Sequence, residues 1–107
     1  MPPTKVLQPT VNLPMLTKEY HTYLKLERGL SPNSVAAYEQ DLQRLTSYMQ
    51  QHNIDIVKAT YEDLQAFLFD TFQSISSVRT QARLVAGVHS FYRFLLYHNY
   101  IQQDPSE

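Results

Sequence analysis

The sequence predicts an all-α fold, a compact bundle of four to five helices, and three observations predict it. The 107 residues include only two glycines, Gly29 and Gly87, and no alternating run of strand length is bounded by turn residues. Four segments instead carry apolar residues at the helical period of about 3.6. The starts of these segments hold residues suited to capping free backbone N–H groups.

The first helix is expected from about Leu16 to Arg28, with Leu16, Tyr20, Tyr23 and Leu24 on one face and Gly29 as the breaker at its end. Residues 1–14 contain Pro2, Pro3, Pro9 and Pro14 and read as a disordered N-terminal arm. The second helix opens with Ser31 as N-cap and Pro32 at the first helical position, where a missing N–H costs nothing. Its apolar residues Val35, Tyr38, Leu42, Leu45 and Met49 are spaced for a helix of about 18 residues. A shorter third helix follows Thr60, where Thr60 and Asp63 resemble a capping box; Leu64, Phe67, Leu68 and Phe72 form its apolar face. The fourth runs from Ser76 or Ser77 to about His98 on a stripe of Leu84, Val88, Phe91 and Leu95, widened by Val85 and Tyr92. Leu42, Leu45, Phe67, Val88, Phe91 and Leu95 are expected to meet in one core. The helical domain is thus expected over residues 15–101, and residues 102–107 have the composition of a linker to a further domain.

Composition excludes several functions. No cysteine is present, so a thiol nucleophile, a disulfide frame and a Cys-ligated zinc site are ruled out. Uncharged stretches such as Leu84 to Tyr92 fall short of the roughly 20 residues of a membrane span, and the N-terminus lacks the apolar run of a signal peptide. A soluble, cytoplasmic protein without a membrane partner is expected. His21, His52, His89 and His98 are too scattered for metal-ligand spacing, and no Gly-rich phosphate loop or nucleophile elbow occurs, so neither metal nor cofactor is expected. Glu62 and Asp63 are adjacent and point in different directions on a helix; capping accounts for them better than paired acid–base work.

The formal net charge is −1, yet the charges are segregated. Residues 33–75 set Arg44 and Lys58 against six acids, whereas residues 76–101 carry Arg79, Arg83 and Arg93 and no acid. Attraction to phosphate depends on charges within about a Debye length, roughly 8 to 10 Å, so a basic face is compatible with a near-neutral total. Opposite its apolar stripe the fourth helix presents Arg79, Arg83, Ala86, Ser90, Arg93 and Tyr97, arginines separated by small residues that let a helix approach a duplex. Arg83 lies about 140° around the helix from Val88 and is expected to point away from the core, so that Arg83→Ala should change stability by no more than about 0.5 kcal/mol. The corresponding face of the second helix is Asn33, Ala36, Ala37, Gln40 and Arg44, preceded by the hydroxyls of Ser31 and Ser34. The plainer reading of each face is a solvated helix surface, and capping alone accounts for Ser31. The tyrosines fall mostly on apolar stripes and are expected in the core.

Two stretches carry a resemblance. Tyr23 to Tyr38 reads YLKLERGLSPNSVAAY, and Ser77 to Glu107 reads SVRTQARLVAGVHSFYRFLLYHNYIQQDPSE. The combination of RGLSPNS, an A-R-L before a long F-Y-R-F-L helix, and D-P-S at a domain junction resembles the N-terminal core-binding (SAM-like) domain of Xer-type tyrosine recombinases and phage or transposon integrases. The likeness spans about 90 of the 107 residues, all but the leading arm. It implies a bundle that covers one face of double-stranded DNA, while a separate C-terminal domain cleaves DNA through a tyrosine, forms a 3'-phosphotyrosyl link and uses no metal or nucleotide. The family's catalytic residues lie in that other domain and none maps here. By motif position Ser31, Asn33, Ser34, Ala37, Gln40, Arg79, Thr80 and Arg83 are the DNA-facing residues, joined by Ser90 from the outer face of the fourth helix. His89 stands where many relatives carry arginine, and Gly87 replaces the usual alanine or serine. Other recombinase protomers are the implied protein partners, with the isolated domain monomeric. The competing reading is a helical protein-interaction domain, which a mainly acidic outer surface, with Arg79 and Arg83 tied up in internal ion pairs, would favour.

Overall fold

The structure, a computed structural model, describes residues 12–107. Helix α1 spans Leu13–Thr22 and continues without a break through a π turn, Tyr23–Glu27; α2 spans Pro32–Gln51, a 3-10 turn Ile56–Lys58, α3 Tyr61–Phe72 and α4 Val78–Tyr97. The all-α bundle is as expected.

Four caps set the starts. Asn12 Oδ1 accepts from the Met15 N–H at 3.1 Å, so α1 begins earlier than its apolar stripe suggests, and Leu13 and Pro14, assigned to the arm, belong to its first turn. The rest of the expected arm, residues 1–11, lies outside the described residues. Ser31 Oγ accepts from Ser34 N–H at 3.2 Å, Ser77 Oγ from Thr80 N–H at 3.2 Å, and Thr60 and Asp63 close a full capping box. The helical run through Glu27 ends at Gly29, whose φ of +62° lets Leu30 N–H return to the Leu24 carbonyl at 3.1 Å.

All six expected core residues are buried in one cluster. The fourth helix departs from expectation. Leu84, Gly87, Val88, Ser90, Phe91, Tyr92, Phe94 and Leu95 are all buried, which is more than one stripe and makes α4 the central helix of the bundle. Arg79, Ala86, Arg93 and Tyr97 of the expected outer face are exposed, whereas helix α1 and the π turn cover Ser90 and the flank of α4 beside it. Phe94 packs there against Tyr20 and Tyr23, with ring centroids 5.3 and 5.2 Å away, and Tyr20 meets Phe91 edge-on at 5.3 Å. The buried hydroxyls are satisfied. Tyr20 donates to Ser90 Oγ at 2.9 Å and Tyr92 to the Ile56 carbonyl at 2.7 Å, while burial pushes both phenols well above their ordinary pKa.

Beyond α4 the last residues turn back against the bundle. Asp104, Pro105 and Ser106 are half-buried, and Pro105 and Ser106 line a small cleft with Leu64, Leu68, Val85 and His89. Ser106 Oγ donates to Asp104 Oδ1 at 2.6 Å and lies 3.0 Å from His89 Nδ1.

Phe91→Ala should lower stability by about 3 to 5 kcal/mol, as for other fully buried aromatics. Phe94→Ala should cost a similar amount if α4 is central, and thermal unfolding of both variants checks it; a neutral Phe94→Ala would mean that α1 does not cover this side.

Candidate nucleic-acid interface

The seam between α2 and α4 is built around a buried acid that the sequence pattern did not single out. Asp41 projects from α2 towards α4 with a side chain 1% exposed, and Arg83 of α4 grips it as a fork: Nε donates to Oδ2 at 3.1 Å and Nη2 to Oδ1 at 3.0 Å. Arg44 Nη1 approaches the same Oδ1 at 3.8 Å from the next turn of α2. The hydrogen bond to Asp41 is the main reason that the Arg83 pKa rises above its ordinary value. Gly87 makes the close approach possible: a Cβ there would stand 3.0 Å from Asp41 Oδ2 and 3.1 Å from Asp41 Cβ, forcing the helices apart by a few tenths of an ångström.

A second cation lies farther along the seam. Arg28, just past the π turn, donates from Nη1 to Ser90 Oγ at 3.1 Å and rests its guanidinium 5.9 Å from the centroid of the Tyr38 ring. Arg28, Arg83 and Arg44 therefore line one seam whose sole acid among these contacts is Asp41.

The expected DNA-facing residues divide into three groups. Asn33, Ser34, Gln40 and Arg79 are exposed, and Arg79 makes no ion pair among the described residues; Ala37 and Thr80 are half-buried near them in sequence. Ser31 is exposed, and its hydroxyl accepts the Ser34 N–H, as capping requires. Arg83 and Ser90 require correction. Arg83 does not point freely outward but is tied to Asp41, because Gly87 lets α2 bring a carboxylate within its reach. Ser90 is 6% exposed beneath α1, between Tyr20 and Arg28, and cannot touch a duplex. One signal for this seam was in the sequence: an isolated glycine inside a long helix costs about 1 kcal/mol relative to alanine and usually has a packing reason.

Several other charged or titratable side chains are engaged elsewhere. Asp55 and Asp63 cap the 3-10 turn and α3. His21 Nδ1 lies 2.6 Å from Glu39 Oε2, and His98 Nε2 lies 3.9 Å from Glu27 Oε2. Among the described residues no group of three His, Asp or Glu is arranged to hold a metal, and no helix is long and apolar enough to cross a membrane. One depression, about 430 Å³, is an open polar groove where Gln40, Arg44 and Ser47 face Asp70 and Thr71, unlike the mostly apolar enclosed cleft of a small-molecule site.

Arg83→Ala is therefore not a neutral surface change. It leaves Asp41 buried with only the distant Arg44, and should cost about 1 to 3 kcal/mol, below the full value of a broken interior pair because Arg83 itself is one-third exposed. Denaturant unfolding reads this directly, with Arg79→Ala as the exposed comparison.

Comparison with known proteins agrees with this architecture. Residues 17–99 match the family described as phage integrase, N-terminal SAM-like domain. The chain is 30% identical over 95 residues to the tyrosine recombinase XerD of Staphylococcus aureus strain Mu50, covering 85% of this chain and 31% of that protein. It is also 30% identical over 91 residues to the tyrosine recombinase XerD of Yersinia pestis, again covering 85% of this chain and 30% of the relative. The chain thus spans about a third of the length of these relatives. With four helices among the described residues and a family match over residues 17–99, the chain belongs to the phage-integrase N-terminal SAM-like domain family of tyrosine recombinases.

Proposed function

We propose that this chain is the DNA-binding module of a site-specific tyrosine recombinase, holding one face of a duplex while a separate C-terminal domain cleaves and exchanges strands. The observation that carries the reading is the line of Arg28, Arg83 and Arg44 along the α2–α4 seam, with the exposed Arg79 one turn before Arg83 on α4. A phosphate backbone is attracted by such a stripe irrespective of net charge, because near charges dominate. Asn33, Ser34, Ala37 and Gln40 on α2, with Arg79 and Thr80 on α4, form the duplex-facing side; Ser31 caps α2, and Ser90 supports Arg28 from below. The module itself performs no catalysis, and cleavage in the parent enzyme uses no metal or nucleotide. Double-stranded DNA and other recombinase protomers are its partners.

The pairing of Arg83 with Asp41 is the observation that favours the second reading, a protein-interaction domain. Arg44 and Arg83 nevertheless share the one carboxylate of Asp41, so that pair of contacts leaves one guanidinium charge over.

Fluorescence anisotropy with a labelled duplex tests the proposal. Non-specific binding in the range of roughly 10⁻⁴ to 10⁻⁶ M at physiological salt is expected, tightening steeply as salt falls. Arg79→Ala should weaken all sequences alike and lower the salt slope by about 1 if it meets a phosphate, at a stability cost within about 0.5 kcal/mol. Glu62→Gln should not weaken binding. If Arg79→Ala binds DNA like the parent chain but fails to associate with a recombinase protomer, the interaction reading replaces this one.

A further inference from the structure

We propose that Asp41 is a positioning residue for phosphate binding: it anchors Arg83, with Arg44 packed behind, so that the unoccupied guanidinium edge of Arg83 forms a preorganised seat for a DNA phosphodiester. This deepens the DNA-binding reading and rests on it. Both oxygens of Asp41 are engaged by the Nε and Nη2 edge of Arg83, which leaves Nη1 and the outer hydrogen of Nη2 with no acceptor among the described residues. Arg44 Nη1 lies 3.8 Å from the shared Oδ1, is shielded from water and has no hydrogen-bond partner. Two guanidiniums thus converge on a single carboxylate, and the cluster carries a net charge of +1 with donors to spare.

Stability alone does not account for the arrangement. A buried ion pair is commonly matched or bettered by apolar residues of similar volume, and here α4 also forgoes a side chain at Gly87 to admit the carboxylate. Fixing a long arginine in one geometry does serve a ligand. The side-chain freedom that phosphate contact would otherwise remove is already lost in the free protein, and the planar fork keeps its second edge aimed.

The anion makes the test sharp, because simple electrostatics and positioning predict opposite signs. Asp41→Asn removes a negative charge, so charge alone predicts tighter binding to DNA. Positioning predicts weaker binding. Anisotropy titrations of the 107-residue chain with a labelled duplex, over a range of salt, should show Asp41→Asn binding roughly 3- to 10-fold more weakly at low salt, with a salt slope smaller by about 1. Adding Arg83→Ala to Asp41→Asn should weaken binding little further, since the unanchored Arg83 has already lost the phosphate contact that the second change deletes. Equal or tighter binding by Asp41→Asn, or fully additive effects, would overturn the proposal.

Should Asp41→Asn prove unfolded by circular dichroism, Arg83→Lys decides. Lysine keeps the charge and an ion pair but loses the fork, so binding should fall several-fold, whereas parent-like binding would overturn the proposal. If the parent chain binds no duplex at low salt, the DNA reading itself fails and this inference with it. Parent binding that survives Asp41→Asn or Arg83→Lys defeats the positioning role alone.

Discussion

The fold depends on the burial of α4. A helix with eight buried positions among twenty cannot be covered from one side, so α1, α2 and α3 must each supply a face and the loops must allow them to surround it. The aromatic side chains follow from this constraint. Tyr20 and Tyr23 supply ring surface to Phe91 and Phe94 on one side, while Tyr92 reaches the 3-10 turn on another and anchors it through its hydroxyl.

Much of this was legible in the sequence, for identifiable reasons. Spacing and capping are local, so Ser31–Pro32, Thr60 with Asp63, Ser77 and Gly29 marked the ends of helices without knowledge of the tertiary structure. The start of α1 was missed because Asn12 and Pro14 carry the signal for it in a proline-rich stretch that reads as irregular. The stripe on α4 was read as one face because a hydrophobic pattern reports which residues are apolar, not how many neighbours a helix will have. Ser90 is polar and Phe94 lies off the stripe; only the arrival of α1 makes both interior.

The site was less legible than the fold. Asn33, Gln40 and Arg79 are where helical geometry puts them, on the surface. Asp41 was passed over because an acid on an amphipathic helix ordinarily faces water, and its partner lies 42 positions away on another helix. Long-range pairing leaves no periodic trace. Its one local trace is Gly87, which the resemblance also marks as a departure from the usual residue.

The π turn at Tyr23–Glu27 has a consequence for insertions and deletions. A turn of that kind holds about one residue more than an α turn, so it acts as a phase shifter: everything after it is rotated by roughly 100° relative to an uninterrupted helix. Removing one residue there could restore regular α geometry with little local disturbance. It would also swing Arg28 away from Ser90 and Tyr38 and displace the turn at Gly29 that aims the chain into α2. Length in this short segment, more than the identity of any one residue in it, keeps α1 and the α2–α4 seam in register.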